Sequence, residues 1–449
     1  MGKLFGTDGI RGEANRYPMD AMTALSAGQA VTYLFRNSKH RTRVIIGKDT
    51  RISGDMLEHS LTAGILSMGG DALLAGVLPT PGIAFITRSM QADAGIVISA
   101  SHNPYADNGI KIFSGEGFKL SDQEEEIIEG LILGGQLTQM VPPAREIGRA
   151  STMDHAFEDY LSFLKGSFPR DLSMKGVRIV MDTANGATYQ VAPEVFTELG
   201  ANVDIIHNTP DGININDNCG SQYTHDLETR VKETGAIVGL AFDGDGDRLI
   251  AVDEKGRKLT GDQILVICAR ALKAEGRLKN DLLVSTVMSN IGLSIACRKY
   301  GLKHHASRVG DRYVLQDMKQ LGAVIGGEDS GHMIFSDYHT TGDGMLAALQ
   351  LIAAMLRQKR PLSDLAAMMD VYPQILMNVE VERKPEISTL PQLVDAIRQA
   401  ETELGHEGRV LVRYSGTQNL CRVMVEGPSL QVTKATCQQI AEAVKRAIG

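Results

Sequence analysis

Residues 44–75 decide the fold class, and they read VIIGKDTRISGDMLEHSLTAGILSMGGDALLA. The first four residues are a short apolar run typical of a buried strand, and residues 55–68 carry apolar side chains at helical spacing. A second strand-like run follows at 72–75, and a third at 95–99. Strands that alternate with a helix in this way predict α/β units.

The same alternation of strand-like and helical segments begins again twice further along the chain. Strand-like runs at 177–182 and 282–287 are each followed by a helix-start signal, at 183–187 and 289–293. The C-terminal part differs, because an alternating, half-exposed strand is followed there by a helix, two strands and a last helix. These segments predict three successive α/β domains and a small α+β domain. The predicted bounds are 1–150, 151–255, 256–370 and 371–449.

The composition of the 449 residues is that of an ordinary globular protein, with 43% hydrophobic and 22% charged side chains. The formal net charge of -8 gives little attraction for a phosphate backbone, so we expect no nucleic acid as a partner. We find no long apolar run and no apolar leader, so we expect no membrane contact and no signal peptide. Five widely spaced cysteines argue against a disulfide framework, and the cytoplasm is the expected compartment.

The first polar cluster is the string Ser-Ala-Ser-His-Asn-Pro at 99–104, which follows a buried strand-like run. The carboxyl end of such a strand is where α/β sheets usually present ligand sites. The hydroxyl of Ser101 would suit a nucleophile or a phosphate carrier. A serine-rich turn before Pro104 is the alternative interpretation.

The second cluster contains Asp243, Asp245 and Asp247, which alternate with glycines after a strand-like run at 237–242. Three carboxylates in one loop repel one another unless a cation joins them, so the loop predicts a divalent metal site and favours Mg²⁺. An EF-hand is excluded, because its sixth position is Arg248 rather than glycine and a strand-like run follows instead of a helix. A solvated acidic turn is the alternative.

Two later clusters have the composition of substrate-binding loops. Glu328, Ser330 and His332 occupy every second position of the string. An extended backbone would therefore place them on one face, where they could bind sugar hydroxyls. The string at 413–419, with Arg422 beyond it, combines a Ser-Gly-Thr loop with two arginines and suits a phosphate dianion. A glycine-rich turn and a plain hairpin turn are the respective alternatives.

The four clusters lie one in each predicted domain. Together they supply a reactive hydroxyl, a metal-binding loop, a loop that binds sugar hydroxyls and a phosphate-binding loop. This combination fits phosphoryl transfer on a sugar phosphate. Asp343, in the string Thr-Gly-Asp-Gly, is interpreted as a helix-start turn rather than a ligand residue.

With these strings the chain resembles the α-D-phosphohexomutase family, and within it the bacterial branch that acts on glucosamine phosphates. Five strings carry the resemblance in family order over nearly the whole chain, and they lie at 5–12, 99–104, 243–248, 327–332 and 413–417. The resemblance implies three similar α/β domains with mixed sheets and a smaller C-terminal α+β domain around a central cleft.

The resemblance also implies a role for each site residue. Ser101 is expected to be a phosphoserine that carries the transferable phosphoryl group and that holds Mg²⁺ together with Asp243, Asp245 and Asp247. The expected acid/base candidates are Lys111 and His332, and Arg11 is expected to orient the serine. The expected substrate-binding residues are Arg248, Glu328 and Ser330 at the sugar, and Arg413, Ser415, Gly416, Thr417 and Arg422 at the non-reacting phosphate.

The reaction implied is the interconversion of glucosamine 6-phosphate and glucosamine 1-phosphate through a 1,6-bisphosphate, which would feed UDP-N-acetylglucosamine and cell-wall precursor synthesis. Glucosamine or glucose 1,6-bisphosphate is the expected activator, a small sugar phosphate the expected partner, and a homodimer a compatible assembly. A phosphomannomutase/phosphoglucomutase of broader sugar range is the alternative enzyme. A non-catalytic protein that binds sugar phosphate or Ca²⁺ is the alternative from another class.

Two positions depart from the usual pattern of that branch. Asp329 stands where glutamine is usual, and the pair at 418–419 reads Gln-Asn where Glu-Pro is usual. The carboxylate of Asp329 would attract a 2-ammonium group or face away from it, so the sequence leaves the strictness of the sugar preference open.

Overall fold

The structure is a computed structural model that describes residues 4–6, 8–415 and 419–449. These residues divide into two units. The first runs to Val287 and resumes over His305–Ala366, and the second comprises Met288–His304 and Ala367–Gly449.

The first α/β domain has a mixed sheet. Its strands are β1 (Ile10–Glu13), β2 (Arg43–Lys48), β3 (Asp71–Val77), β4 (Ala94–Ile98), β5 (Asp107–Ser114) and β6 (Ala150–Thr152). Its helices are α1 (Ala21–Leu34), α2 (Gly54–Ser67), α3 (Thr80–Ser89) and α4 (Asp122–Gly134). The strand order is β1-β5-β4-β2-β3-β6, in which β5 runs antiparallel to its two neighbours and β2 is parallel to both of its own. The elements predicted between residues 44 and 99 are thereby confirmed.

The second domain repeats this construction on a smaller scale. It contains α5 (Ala156–Ser167), β7 (Arg178–Asp182), α6 (Val191–Glu198), β8 (Asn202–Ile206), α7 (His225–Thr234), β9 (Val238–Phe242) and β10 (Leu249–Asp253). The strand order is β10-β9-β7-β8, with β9 and β10 forming an antiparallel hairpin.

The helix-start signal at 183–187 was wrong, since α6 begins only at Val191. Ala184 and Asn185 have positive φ angles of 54° and 48°. A right-handed helix cannot pass through residues in that region, so the chain after β7 turns first and enters the helix later.

The third domain contains α8 (Gly261–Ala274), β11 (Leu282–Thr286), α9 (Ile291–Lys299), β12 (Lys303–Ser307), α10 (Asp311–Leu321), β13 (Ile325–Gly327), β14 (Met333–Phe335), α11 (Gly344–Gln358) and α12 (Leu362–Ala366). The strand order is β12-β11-β13-β14. The helix start predicted at 289–293 is confirmed, because the side chain of Asn290 accepts the N–H of Gly292 and caps α9.

The fourth domain is a small α+β domain within the second unit. It consists of β15 (Gln374–Glu380), α13 (Pro391–Leu404), β16 (Arg409–Tyr414), β17 (Leu420–Glu426) and α14 (Leu430–Ile448). The antiparallel order is β15-β17-β16. One face of the sheet packs on α13 and α14, so β15 alternates between half-buried and exposed residues as its sequence predicted. In the described parts of the chain, no helix has the length and apolarity needed to cross a membrane.

Asp343 caps helix α11, as the sequence predicted. Its Oδ1 accepts the backbone N–H groups of Met345 and Leu346 at 3.0 Å, and its Oδ2 accepts the hydroxyl of Tyr160 at 2.8 Å. Burial raises the pKa of Asp343 to about 6, although these hydrogen bonds lower it in part. A carboxyl group whose pKa is higher in the folded than in the unfolded chain stabilises the fold at low pH, and that stabilisation is lost as the pH rises from about 4 to about 6.

Substitution of Asp343 tests this cap. Asp343→Ala should lower the free energy of unfolding by about 1–2 kcal/mol, because the first N–H groups of α11 lose their acceptor. Asp343→Asn keeps an acceptor and cannot ionise, so its melting temperature should match or exceed that of the wild type at pH 7.5 and lose any advantage at pH 4.5. Melting curves at the two pH values check this, and an equal loss for both variants would contradict it.

Candidate active site

Ser101 lies in the loop that follows β4, a strand whose residues are all buried. The residue is 1% exposed, and its Oγ donates a hydrogen bond to Asp243 Oδ2 at 2.6 Å. Its backbone N–H donates to Ser99 Oγ at 2.9 Å. Two clusters that the sequence placed in different domains are therefore in direct contact.

Asp243, Asp245 and Asp247 occupy the turn of the β9–β10 hairpin. All three are buried, and one oxygen of each lies within 4.8 Å of the others. Asp245 Oδ1 and Asp247 Oδ1 have no hydrogen-bond partner among the described residues. Buried carboxylate oxygens that converge without partners fit a divalent cation, which prefers oxygen ligands.

The pKa values of Asp243 and Asp245 are shifted in opposite directions. Burial raises the pKa of Asp243 well above its usual value, and the charges of Asp247 and Asp245 raise it further. Burial would also raise the pKa of Asp245, but the charge of Lys111 and hydrogen bonds from Lys111 and Thr80 hold it below its usual value. A cation bound in the loop would favour the ionised forms of these carboxyl groups.

Lys111 projects from β5 into the same site and is 1% exposed. Its Nζ donates to Asp245 Oδ2 at 2.7 Å and lies 3.2 Å from Asp8 Oδ2 and 3.6 Å from Asp247 Oδ2. Burial would lower the pKa of Lys111, but the charges of these three carboxylates raise it above its usual value. Lys111 is thus a buried ammonium group whose counter-charges include two members of the carboxylate trio.

A second buried lysine, which the sequence did not suggest, extends this arrangement. Lys119 Nζ donates to Asp8 Oδ1 at 2.5 Å and to Asp311 Oδ2 at 2.6 Å, and Arg11 also pairs with Asp8. Burial would lower the pKa of Lys119, but the charges of Asp311 and Asp8 raise it. Lys119 and Asp311 belong to none of the polar clusters, and only Asp8, within the string at 5–12, carried any signal.

His332 and Arg248 come from two different hairpin turns, and their backbones form an isolated antiparallel bridge. His332 Nε2 lies 3.5 Å from Asp311 Oδ2 and 3.9 Å from Asp247 Oδ2. Within the described residues, neither ring nitrogen of His332 has a hydrogen-bond partner, and Arg248 Nε lacks one too. A Cβ on Gly342 would collide with the imidazole, so the absence of a side chain there leaves room for the ring.

The expected alternation of Glu328, Ser330 and His332 along an extended backbone was wrong. Strand β13 ends before Glu328, and the hydrogen bond from Gly331 N–H to Glu328 O, at 3.0 Å, closes a turn. The positive φ of Gly331, 94°, reverses the chain into β14. Glu328 and His332 nevertheless line the same cavity, whereas Ser330 is exposed and lies outside its lining.

The cavity has a volume of about 540 Å³, which is in the range of small-molecule sites. Its polar lining includes Asp8, Arg11, His102, Lys119, Asp247, Arg248, Asp311, Glu328 and His332. Burial, together with the charges of Arg248 and Arg11, lowers the pKa of His102 to about 4, so His102 is neutral at pH 7. The cavity thus combines three cationic side chains with four carboxylates and a neutral imidazole, beside the carboxylate trio.

The loop of the fourth domain is described in part, because Gly416, Thr417 and Gln418 lie outside the described residues. Ser415 is buried, and its N–H donates to Leu420 O at 2.8 Å, which closes the β16–β17 hairpin. Lys384 Nζ donates to the carbonyl oxygen of Ser415 at 2.9 Å. Lys384 is a cation near this loop that the sequence did not suggest.

Arg413 and Arg422 lie directly opposite each other on β16 and β17. Like charges at directly opposite positions of an antiparallel pair destabilise the sheet. Arg422 Nε is buried and has no hydrogen-bond partner in the described part of the chain. An anion bound between the two guanidinium groups would relieve both the repulsion and the unpaired donor.

Four family models match consecutive parts of the chain. They are the phosphoglucomutase/phosphomannomutase alpha/beta/alpha domain I over residues 2–138, domain II over 158–256, domain III over 260–372 and the C-terminal domain over 376–443. The chain belongs to this family of phosphohexomutases, which are isomerases of sugar phosphates.

Individual relatives point to one member of the family. The phosphoglucosamine mutase of Syntrophobacter fumaroxidans is 69% identical over 449 residues, with 100% of both chains covered. The phosphoglucosamine mutase of Myxococcus xanthus is 53% identical, with 99% of this chain and 97% of the relative covered.

Solved structures confirm the four-domain fold. A phosphoglucomutase/phosphomannomutase family protein from Burkholderia thailandensis gives a TM-score of 0.79 at 24% identity, covering 98% of this chain and 96% of its own. The N-acetylphosphoglucosamine mutase of Aspergillus fumigatus, in complex with GlcNAc-6P and magnesium, gives a TM-score of 0.69 at 16% identity, covering 99% and 96%.

The pairing of Lys111 with the carboxylate trio predicts how metal binding and stability are linked. Lys111→Met leaves the buried carboxylates of Asp245 and Asp247 without their ammonium partner, so the variant should melt at a lower temperature than the wild type in EDTA. Mg²⁺ should raise its melting temperature more than it raises that of the wild type, because the cation then supplies the missing charge.

Lys48→Met is the matched control for this prediction. Lys48 is also largely buried and pairs with two carboxylates, those of Asp55 at 2.7 Å and Glu58 at 2.5 Å, away from the trio. Its loss should lower the melting temperature without any additional response to Mg²⁺. An identical Mg²⁺ response in both variants would contradict the proposed exchange of charge.

Proposed function

We propose that this phosphohexomutase interconverts glucosamine 6-phosphate and glucosamine 1-phosphate, and so supplies glucosamine 1-phosphate for UDP-N-acetylglucosamine and cell-wall precursors. The observation that carries the proposal is the 2.6 Å hydrogen bond from the Ser101 hydroxyl to Asp243, inside a buried carboxylate trio beside a cavity of sugar-phosphate size. Relatives between 51% and 69% identical over nearly the full chain are named phosphoglucosamine mutases.

Ser101 is proposed as the phosphoryl carrier, modified as a phosphoserine in the active enzyme. In the forward step the bond from phosphorus to Ser101 Oγ breaks, a bond from phosphorus to the free sugar hydroxyl forms, and a base takes the hydroxyl proton. The product is a glucosamine 1,6-bisphosphate. The reverse step with the other phosphate returns the phosphoryl group to Ser101 and releases the isomer.

Asp243, Asp245 and Asp247 are proposed to hold Mg²⁺ together with the phosphate of Ser101. The unpartnered oxygens of Asp245 and Asp247 support this assignment, and a hard cation with open positions would accept a phosphate oxygen as a further ligand. When bound, the metal supplies neutralising charge for the phosphoryl group in transfer.

Lys111 and His332 are proposed as the acid/base pair. Lys111 is assigned the acid role toward the Ser101 oxygen, because its ammonium and the Ser101 hydroxyl both contact the carboxylate trio. His332 lines the cavity with neither ring nitrogen engaged by the described residues, so it suits the base role toward a sugar hydroxyl. Arg11, which lines the same cavity, is proposed to orient the phosphoryl group.

Substrate contacts are proposed at both ends of the sugar phosphate. Arg248, Glu328 and Ser330 are assigned to the sugar, and the cavity lining supports the first two more strongly than the exposed Ser330. The non-reacting phosphate is assigned to Arg413, Ser415, Gly416, Thr417 and Arg422, an assignment supported by the opposed arginines.

The amino group of the substrate is not assigned to Asp329. Asp329 Oδ1 accepts the N–H of Asp262 at the start of α8, at 3.2 Å, and the residue is absent from the cavity lining. This engagement favours the alternative in which the carboxylate faces away from the sugar.

The proposal also covers the domain bounds, the activator and the cellular compartment. The domain bounds are proposed at 1–150, 151–255, 256–370 and 371–449, in keeping with the ranges of the four family models. Glucosamine or glucose 1,6-bisphosphate is proposed as the activator and intermediate. The cytoplasm is proposed as the site of action.

Replacement of the carrier tests the mechanism directly. Ser101→Ala should lose turnover by a factor of about 10³ or more and take up no phosphate from glucose 1,6-bisphosphate, because no oxygen remains to accept it. Ser114→Ala, at the far end of β5, should take up phosphate as the wild type does. Intact-protein mass spectrometry and coupled rate assays measure both, and an active, phosphorylated Ser101→Ala enzyme would refute the carrier role.

Substrate comparison tests the sugar preference. We expect kcat/KM for glucosamine 6-phosphate to exceed that for glucose 6-phosphate and mannose 6-phosphate by about tenfold or more, the scale on which one polar group is discriminated. Equal values for all three sugars would instead establish the broader phosphomannomutase/phosphoglucomutase activity.

A further inference from the structure

The backbone of Ser101 is held in an unusual conformation. Its φ angle is 54°, a region that is unfavourable for a residue other than glycine and that persists only where the surroundings enforce it. The turn that contains Ser101 exposes two carbonyl oxygens to donors from outside, those of Ser101 and Asn103.

The first donor to these two oxygens is Arg51, from the same domain. Its Nη2 lies 3.2 Å from Ser101 O and 2.5 Å from Asn103 O. The guanidinium is fully buried and forms an ion pair with Asp49, so its position is fixed.

The second donor is Asn216, which belongs to the second domain. Its Nδ2 donates to Ser101 O at 2.9 Å and to Asn103 O at 3.0 Å, so one side-chain amide spans both carbonyls. Asn216 itself has a φ of 57°, and its backbone N–H donates to Ala184 O at 2.9 Å.

The carboxylate loop also meets this contact. A Cβ on Gly244 would lie 2.6 Å from Ser101 O and 2.7 Å from Asn216 Nδ2, closer than atoms can approach without moving. Three parts of the molecule therefore touch at one point: the serine turn, the side chain of Asn216 and the backbone between Asp243 and Asp245. Only a glycine at position 244 leaves room for this contact.

We propose that Asn216 is a positioning residue for phosphoryl transfer, which holds the Ser101 turn of the first domain against the carboxylate loop of the second. It acts through Ser101 and touches no substrate atom. The inference rests on the proposed role of Ser101 as the carrier. Other hydrogen bonds join the same two domains, such as Thr50 Oγ1 to Asn185 O at 2.6 Å and Thr80 N–H to Asp245 O at 2.9 Å, so the loss of Asn216 loosens the turn without separating the domains.

Two substitutions of Asn216 test the proposal. Asn216→Gly keeps the positive φ available and removes only the amide, and Asn216→Asp keeps the shape but replaces the donor with an acceptor facing two carbonyl oxygens. The matched control is Asn218→Gly, because Asn218 lies in the same loop with a φ of 52° and, among the residues that the structure describes, its side-chain amide donates only to Asp217, at 3.0 Å.

The measurements are kcat, KM, the rate at which glucose 1,6-bisphosphate phosphorylates dephosphorylated Ser101, and amide hydrogen exchange at residues 100–103. Both Asn216 variants should lose about 10- to 100-fold in kcat and in the phosphorylation rate, with KM within about twofold, since a small misplacement of a reacting group has this scale of effect. Exchange at 100–103 should become faster in Asn216→Gly, and the melting temperatures and the Asn218→Gly enzyme should resemble the wild type.

Two outcomes would overturn the proposal. Wild-type phosphorylation rates and exchange in both Asn216 variants would show that Arg51 alone holds the turn. Equal losses in Asn218→Gly would show that any change in this loop slows the enzyme. Failure of the proposed function is distinguishable from both, because the wild-type enzyme itself would then take up no phosphate on Ser101.

Discussion

The site depends on one electrostatic constraint, which is the burial of three carboxylates in a single hairpin turn. Charges removed from water are costly unless opposite charges or hydrogen bonds compensate for them. Lys111 from β5 and the hydroxyl of Thr80 at the start of α3 both reach Asp245 Oδ2, at 2.7 Å and 2.6 Å. The second domain can therefore bury its carboxylates only while the first domain is in place, and the same contact brings the Ser101 hydroxyl to Asp243.

The compensation of charge continues away from the carboxylate trio as a row of alternating acidic and basic side chains. Asp8 lies between Lys111 and Lys119, and Lys119 lies between Asp8 and Asp311 of the third domain. Each buried charge is the counter-charge of the next, so the chain near its N-terminus and the start of α10 are held around one cavity. The row ends near the ring of His332, whose Nε2 lies 3.5 Å from Asp311 Oδ2. The fourth domain shows a similar imbalance of the opposite sign, because Arg413 and Arg422 lie at directly opposite positions of the β16–β17 pair.

Backbone strain is present where the first two domains meet, as it is at several other turns of the chain. Ser101, Ala184, Asn185 and Asn216 all have positive φ angles, and the hydrogen bonds of Asn185 and Asn216 join the two domains. Such conformations persist where tertiary contacts outweigh their cost, and they cluster at functional sites. Here they allow two loops that are far apart in sequence to present a hydroxyl and three carboxylates to one another within hydrogen-bond distance.

The sequence by itself determined the α/β class, many of the strands, a smaller share of the helices and the polar clusters, because hydrophobic periodicity and loop composition are local properties of the chain. It also identified Ser101 and the aspartate trio, since a serine after a buried strand and alternating carboxylates are local patterns. Only the tertiary structure decided the partners of these groups: Lys119, Asp311 and Asn216 carry no local signal, because their importance arises from charges and carbonyl groups that other domains bring to them. Likewise Glu328 and His332 face one cavity through a turn at Gly331 and not through strand alternation, and the φ angle of that glycine is selected by the hairpin that β13 and β14 form together.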